Sequence, residues 1–174
     1  MRGRGSLEQQ FRFTGDRANA DAILDVLLTA PLVGEHSIFG NRPGEEEGTV
    51  DRSRRVRGFS PAPGFRFDVE LAERDSTTVR GASSRGSAVV VRFTQPDRDV
   101  PYLEGELLWI VRDQLDGPVL DEQINTPTVL QDLGAPLGGP KRSLRRWLFF
   151  KVGHQRVMRR AVRNIAQILE RRPG

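Results

Sequence analysis

The chain has no cysteine among its 174 residues. That excludes disulfide frameworks, thiolate nucleophiles, cysteine-ligated zinc and iron–sulfur clusters, and it suits a reduced, cytoplasmic setting. No apolar run approaches the roughly 18–20 residues that a membrane span needs. Met1 to Ser6 carries two arginines with no apolar stretch behind them, so it is expected to be a frayed end and not a signal peptide. Histidine is scarce: His36 and His154 are the only two, far apart in sequence, which leaves little material for a histidine-based metal or catalytic centre. Lysine is nearly absent as well. Of 27 basic residues only Lys141 and Lys151 are lysine, and the rest are arginine.

What is present is a chain of single-domain length, able to bury roughly 70 % of the surface its unfolded form exposes without help from metal or disulfide. We expect one domain over residues 7–172. Charge is unevenly placed along it. From Lys141 to Arg172 there are eleven basic residues and one acid, Glu170, a net of +10; the remainder carries sixteen basic and twenty-two acidic residues, a net of −6. Such asymmetry suits either a polyanionic partner or a basic helix lying across an acidic sheet of the same chain.

Alternation of apolar and polar residues marks the strands. Leu7–Thr14 comes first, with Leu7, Phe11 and Phe13 on one face. A helix follows from about Ala18 to Thr29, capped by Asn19 or Asp16, with Ile23, Val26 and Leu27 as its apolar stripe. Pro31 ends it, and Leu32 to Phe39 has the makings of one more short helical turn. Gly34 to Gly48, with the run Glu45–Glu47, reads as a mobile polar loop. Strands are then expected over Thr49–Phe59, Phe65–Glu73, Thr77–Ser83, Ser87–Thr94, Tyr102–Asp113 and Val119–Ile124. Phe67, Val69 and Leu71 point inward, as do Val89, Val91 and Phe93, and then Leu107, Trp109 and Val111. Asp116-Gly117 is a hairpin signal. The Pro/Gly-rich stretch Thr126–Pro140 reads as a linker. A last helix from near Ser143 to about Arg171 carries a stripe of Met158, Ala161, Val162, Ile165, Ile168 and Leu169, with Arg156, Arg159, Arg160 and Arg163 off it.

One strand, a short helix region, six antiparallel strands and a long final helix is the order of a helix-grip α+β fold, in which a curved sheet of about seven strands wraps a C-terminal helix. Two segments carry a resemblance to the START-like (SRPBCC, or Bet v 1-like) superfamily of polyketide cyclases, lipid-transfer domains and hormone-binding proteins. Phe11-Arg-Phe-Thr-Gly-Asp-Arg-Ala-Asn-Ala-Asp-Ala-Ile-Leu-Asp-Val-Leu-Leu-Thr-Ala-Pro-Leu-Val looks like its first strand, turn and short helix ending at a proline. Arg156–Leu169 looks like its basic amphipathic last helix.

That resemblance implies a cavity between sheet and helix that holds a small apolar or lipid-like molecule. Its candidate walls are Phe67, Val69, Val91, Leu107, Trp109 and Met158, which would otherwise serve as ordinary core. Met158 adapts to variable ligands, and Trp109 offers a flat surface with one donor. A non-enzymatic binding role leads. A polyketide cyclase or aromatase is the alternative, although no polar residue stands out on an inward face to carry such chemistry. No cofactor or metal is implied: Gly134–Pro140 lacks the Gly-Lys-Ser/Thr ending of a phosphate loop, Glu45–Glu47 reads as a solvated charge run, and His154 reads as solvated or structural. Arg156, Arg159, Arg160 and Arg163 are the candidate polyanion-binding residues, for phosphates of RNA or of an anionic membrane, with Arg145 and Arg146 nearby.

Overall fold

The protein was analysed as a computed structural model, which describes residues 6–50, 53–61, 66–75, 87–94, 105–125 and 152–173. The expected strand over Thr77–Ser83, the turn at Pro96–Val100, the linker Thr126–Pro140, the helical turns from Ser143 to Lys151, and the first five residues lie outside these.

Seven strands form one antiparallel sheet: β1 (Ser6–Arg12), β2 (Glu45–Val50), β3 (Ser53–Phe59), β4 (Phe67–Asp75), β5 (Ser87–Thr94), β6 (Gly105–Arg112) and β7 (Val119–Asn125). Their order across the sheet is β1-β7-β6-β5-β4-β3-β2, so β2 to β7 run as a meander and the first strand closes onto the last. Among the described residues two helices accompany the sheet, α1 (Ala20–Thr29) and α2 (Gln155–Arg171). This is the helix-grip α+β architecture expected from the order of elements.

Each element follows from its residues. Asn19 caps α1, its Oδ1 accepting from the Ala22 N–H at 2.9 Å, which satisfies one of the donors that a helix start leaves open. Asp113, from the turn after β6, accepts from the Ala20 N–H at 2.9 Å and ties that helix start to the sheet. Ile23, Val26 and Leu27 are buried. In α2 the buried residues are Met158, Ala161, Val162, Ile165 and Leu169, the three-four spacing of a single packed face. These side chains join the inward residues of every strand from β3 to β7, and Phe11 of β1, in one apolar cluster. A second, small cluster of Ala88, Val90, Leu108 and Ile110 is buried on the opposite face of β5 and β6.

Three expectations need correction. The single strand expected over Thr49–Phe59 is divided between β2 and β3, which pair antiparallel with Val50 opposite Ser53. Leu32 to Phe39 is not a helical turn. Gly34 at φ 110° and His36 at φ 59° both take the left-handed conformation, so the chain doubles back. Ile38 N–H then donates to Pro31 O, and Phe39 N–H to Leu32 O, each at 2.9 Å. The loop thereby buries Leu32, Ile38 and Phe39 in the core.

Glu45–Glu47 is not a solvated run in a mobile loop either: it opens the edge strand β2, with Glu46 opposite Val56. The reason is Arg54. Its position on β3 faces inward, and the residue is only 4 % exposed. It donates to Leu27 O at 3.0 Å, to Ala30 O and to Glu46 Oε1. Glu46 Oε2 in turn accepts from the Leu32 N–H at 2.9 Å. One guanidinium thus satisfies carbonyls at the end of α1 that have no partner within the helix, and one carboxylate compensates the buried cation.

Gly44 leads into β2 at φ 152°, where a Cβ would come within 2.9 Å of Val56 Cγ1 and 3.4 Å of the Phe59 Cα. Both the backbone conformation and the crowding are unfavourable to a side chain. Gly44→Ala is therefore expected to lower the unfolding free energy by about 1–3 kcal/mol, measured by urea denaturation; an unchanged midpoint would mean that the edge strand shifts freely.

Candidate ligand site

In an antiparallel sheet, residues directly opposite each other project to the same face. Gln9 of β1 stands opposite Glu122 of β7, and Glu122 stands opposite Trp109 of β6. The three side chains therefore form a row across adjacent strands on the helix-facing side, among the apolar residues. Glu122 has no solvent exposure and Trp109 is 2 % exposed.

The Glu122 carboxylate is held at both oxygens. Trp109 Nε1–H donates to Oε1 at 2.8 Å, and His154 Nε2 lies 2.8 Å from Oε2. His154 sits in the π-type turn that leads into α2, so this contact joins the helix to the floor of the sheet. Of the two expected readings, solvated or structural, His154 takes the structural one: its side chain is 16 % exposed and its partner is fully buried.

Gln9 is different. Neither its Oε1 nor its Nε2 reaches solvent or a hydrogen-bond partner among the described residues. A buried carboxamide left in this state costs about 1–3 kcal/mol, and native interiors rarely tolerate that without a reason. The interior therefore holds a buried carboxylate, an imidazole and an unmet donor–acceptor pair side by side.

The six expected wall residues, Phe67, Val69, Val91, Leu107, Trp109 and Met158, all fall in the central apolar cluster, each between 2 and 7 % exposed. Alternation had placed them on the right face. The polar row was missed, yet it had a signal. Glu122 shares its strand parity with Leu120 and Ile124, and Gln9 shares its parity with Leu7, Phe11 and Phe13, so each is a polar residue at an inward position. His154 had no comparable signal, because its partner lies 32 residues away in sequence.

The arginines of α2 gather elsewhere. Arg156, Arg159, Arg160 and Arg163 line a cleft of about 830 Å³ together with Arg12 of β1 and Arg42 of the loop before β2, over a floor that includes Phe11 and Val162. Burial, and then repulsion from Arg160, lowers the pKa of the Arg42 guanidinium from its ordinary value. Arg145 and Arg146, named beside these in the sequence, lie outside the described residues.

The chain matches no family model, and no curated protein matches it. Among solved structures it is similar to the di-domain ARO/CYC BexL from the BE-7585A biosynthetic pathway, with a TM-score of 0.56 and 15 % identity. The likeness covers 97 % of this chain and 50 % of that one, so the chain spans half the length of BexL. At that identity the similarity establishes the fold. Among the described residues, no helix is long and apolar enough to cross a membrane, and no group of three or more potential ligands is placed to hold a metal ion.

Proposed function

We propose that the chain is a START-like binding protein that holds a small, mainly apolar molecule between its sheet and α2. The observation that carries this reading is Gln9, a buried carboxamide with both polar atoms unmet, beside the Glu122–His154 pair. Apolar walls with a few polar anchors are the usual make-up of a small-molecule pocket. Phe67, Val69, Val91, Leu107, Trp109 and Met158 supply the walls. Gln9 supplies one donor and one acceptor for the polar end of the ligand, a hydroxyl or carbonyl.

Native mass spectrometry of the purified protein, followed by denaturing extraction, tests this directly. A stoichiometric apolar molecule is the expected finding, or otherwise a thermal shift with a member of a panel of lipids and aromatic polyketides. Gln9→Leu sharpens the test. Removing an unmet buried polar group should raise stability by about 1–2 kcal/mol and weaken ligand binding about tenfold. An empty protein, indifferent to the whole panel, would overturn the proposal.

A cyclase-type enzyme is the second reading, favoured by the Glu122–His154 couple and by the likeness to the di-domain ARO/CYC BexL. Glu122 would hold the imbalance of charge while His154 moves a proton on a polyketide chain folded in the same space. Product analysis separates the two: His154→Ala should abolish turnover of a linear polyketide under the enzymatic reading, whereas under the binding reading the wild-type protein releases it unchanged.

A further inference from the structure

We infer that the arginine cleft between β1, the loop before β2 and α2 is a binding site for a small anion bearing two or more phosphates. Four of its arginines, Arg156, Arg159, Arg160 and Arg163, recur at three-four spacing along α2, which sets their side chains on one ridge. Arg12 and Arg42 reach the same cleft from β1 and from the loop before β2. Six arginines from three segments thus line one open cleft.

Among the described residues no carboxylate pairs with Arg42, Arg156, Arg159, Arg160 or Arg163, and Arg12 has only a loose contact of 3.8 Å with Asp116. Arg42 is the sharpest case. One of its terminal nitrogens donates to the Pro61 carbonyl, but its Nε is sealed from solvent and has no partner among the described residues, and Arg160 repels it. The Arg160 guanidinium approaches the Gly40 backbone so closely that a Cβ there would lie 3.6 Å from it. Gathering like charges is unfavourable unless something answers them, and phosphate matches the planar fork of arginine in geometry as well as in charge.

The shape selects the occupant. A concave cleft of about 830 Å³ lies within the size range of small-molecule sites, roughly 300–1,000 Å³. Arginines from β1, the loop before β2 and α2 line the same cleft, so a compact polyphosphate held there meets several guanidinium groups at once. The apolar floor at Phe11 and Val162 leaves room for a non-phosphate portion of the ligand.

Isothermal titration of the full chain with sodium tripolyphosphate at low salt tests this. Saturable binding near one per chain is expected, weakening as salt rises. Arg42→Gln and Arg160→Gln should each weaken it at least tenfold. Because both variants relieve repulsion, they should melt no lower than the parent, which separates lost binding from lost folding. Arg171→Gln, outside the cleft, should leave binding intact. Absence of saturable binding, or equal weakening by Arg171→Gln, would overturn the inference. So would tight binding of phosphatidylglycerol vesicles or single-stranded RNA that tripolyphosphate fails to displace; that outcome would reassign the arginines to a macromolecular surface.

Discussion

Replacing Arg54 with alanine should lower the unfolding free energy by about 3–5 kcal/mol, the range for breaking a buried ion pair from one side. Arg54 reaches both the end of α1 and the edge strand β2: it binds the Leu27 and Ala30 carbonyls and Glu46. Its loss leaves two helix-end carbonyls unmet and a half-buried carboxylate with only the Leu32 N–H as partner. Glu46→Gln should cost less, about 1–2 kcal/mol, because an amide oxygen can still accept from Arg54 or Leu32. Urea unfolding of both variants and of the double mutant gives the coupling between them. A loss under about 1 kcal/mol for Arg54→Ala would show that water takes over the carbonyls and that β2 is held by its backbone ladder alone.

For Glu122→Ala the expected loss is also about 3–5 kcal/mol. Two interactions disappear at once, with Trp109 Nε1 and with His154 Nε2, and the space vacated in a fully buried position adds a cavity. Glu122→Gln keeps the shape and one acceptor, so about 1–2 kcal/mol is expected there. The informative variant removes the whole network: Trp109→Phe, Glu122→Leu and His154→Leu together. Buried charged networks replaced by apolar residues of similar volume are often neutral or stabilised, so this protein should regain most of the stability lost by Glu122→Ala. Ligand binding should not return with it. Recovery of stability without binding would assign the polar row to the ligand, whereas recovery of both would make it a packing feature.

The two networks explain how much could be read in advance. The inward faces of β4, β5 and β6 followed from strict alternation, since a one-residue slip would bury Arg66, Asp68 and Glu70. The buried stripe of α2 was equally plain, because Met158, Ala161, Val162, Ile165 and Leu169 recur at helical spacing. Strand β2 was not legible. Glu45, Glu46, Glu47 and Gly48 are poor strand formers, and nothing local marks Glu46 as a partner for a cation eight residues on. That pairing exists only because β3 turns Arg54 toward the end of α1.

Composition and patterning by themselves excluded cysteine chemistry and marked the apolar faces of β4, β5, β6 and α2. Those faces depend on local periodicity, which survives without knowledge of the partner strand. Tertiary structure decided where the polar residues meet. Gln9, Trp109, Glu122 and His154 come together through strand register and through the placement of the turn before α2. The arginines of α2 become a cleft only when β1 and the loop carrying Arg42 close around them. Both sites depend on contacts between residues distant in sequence, and only the folded chain brings those residues within hydrogen-bonding or electrostatic reach.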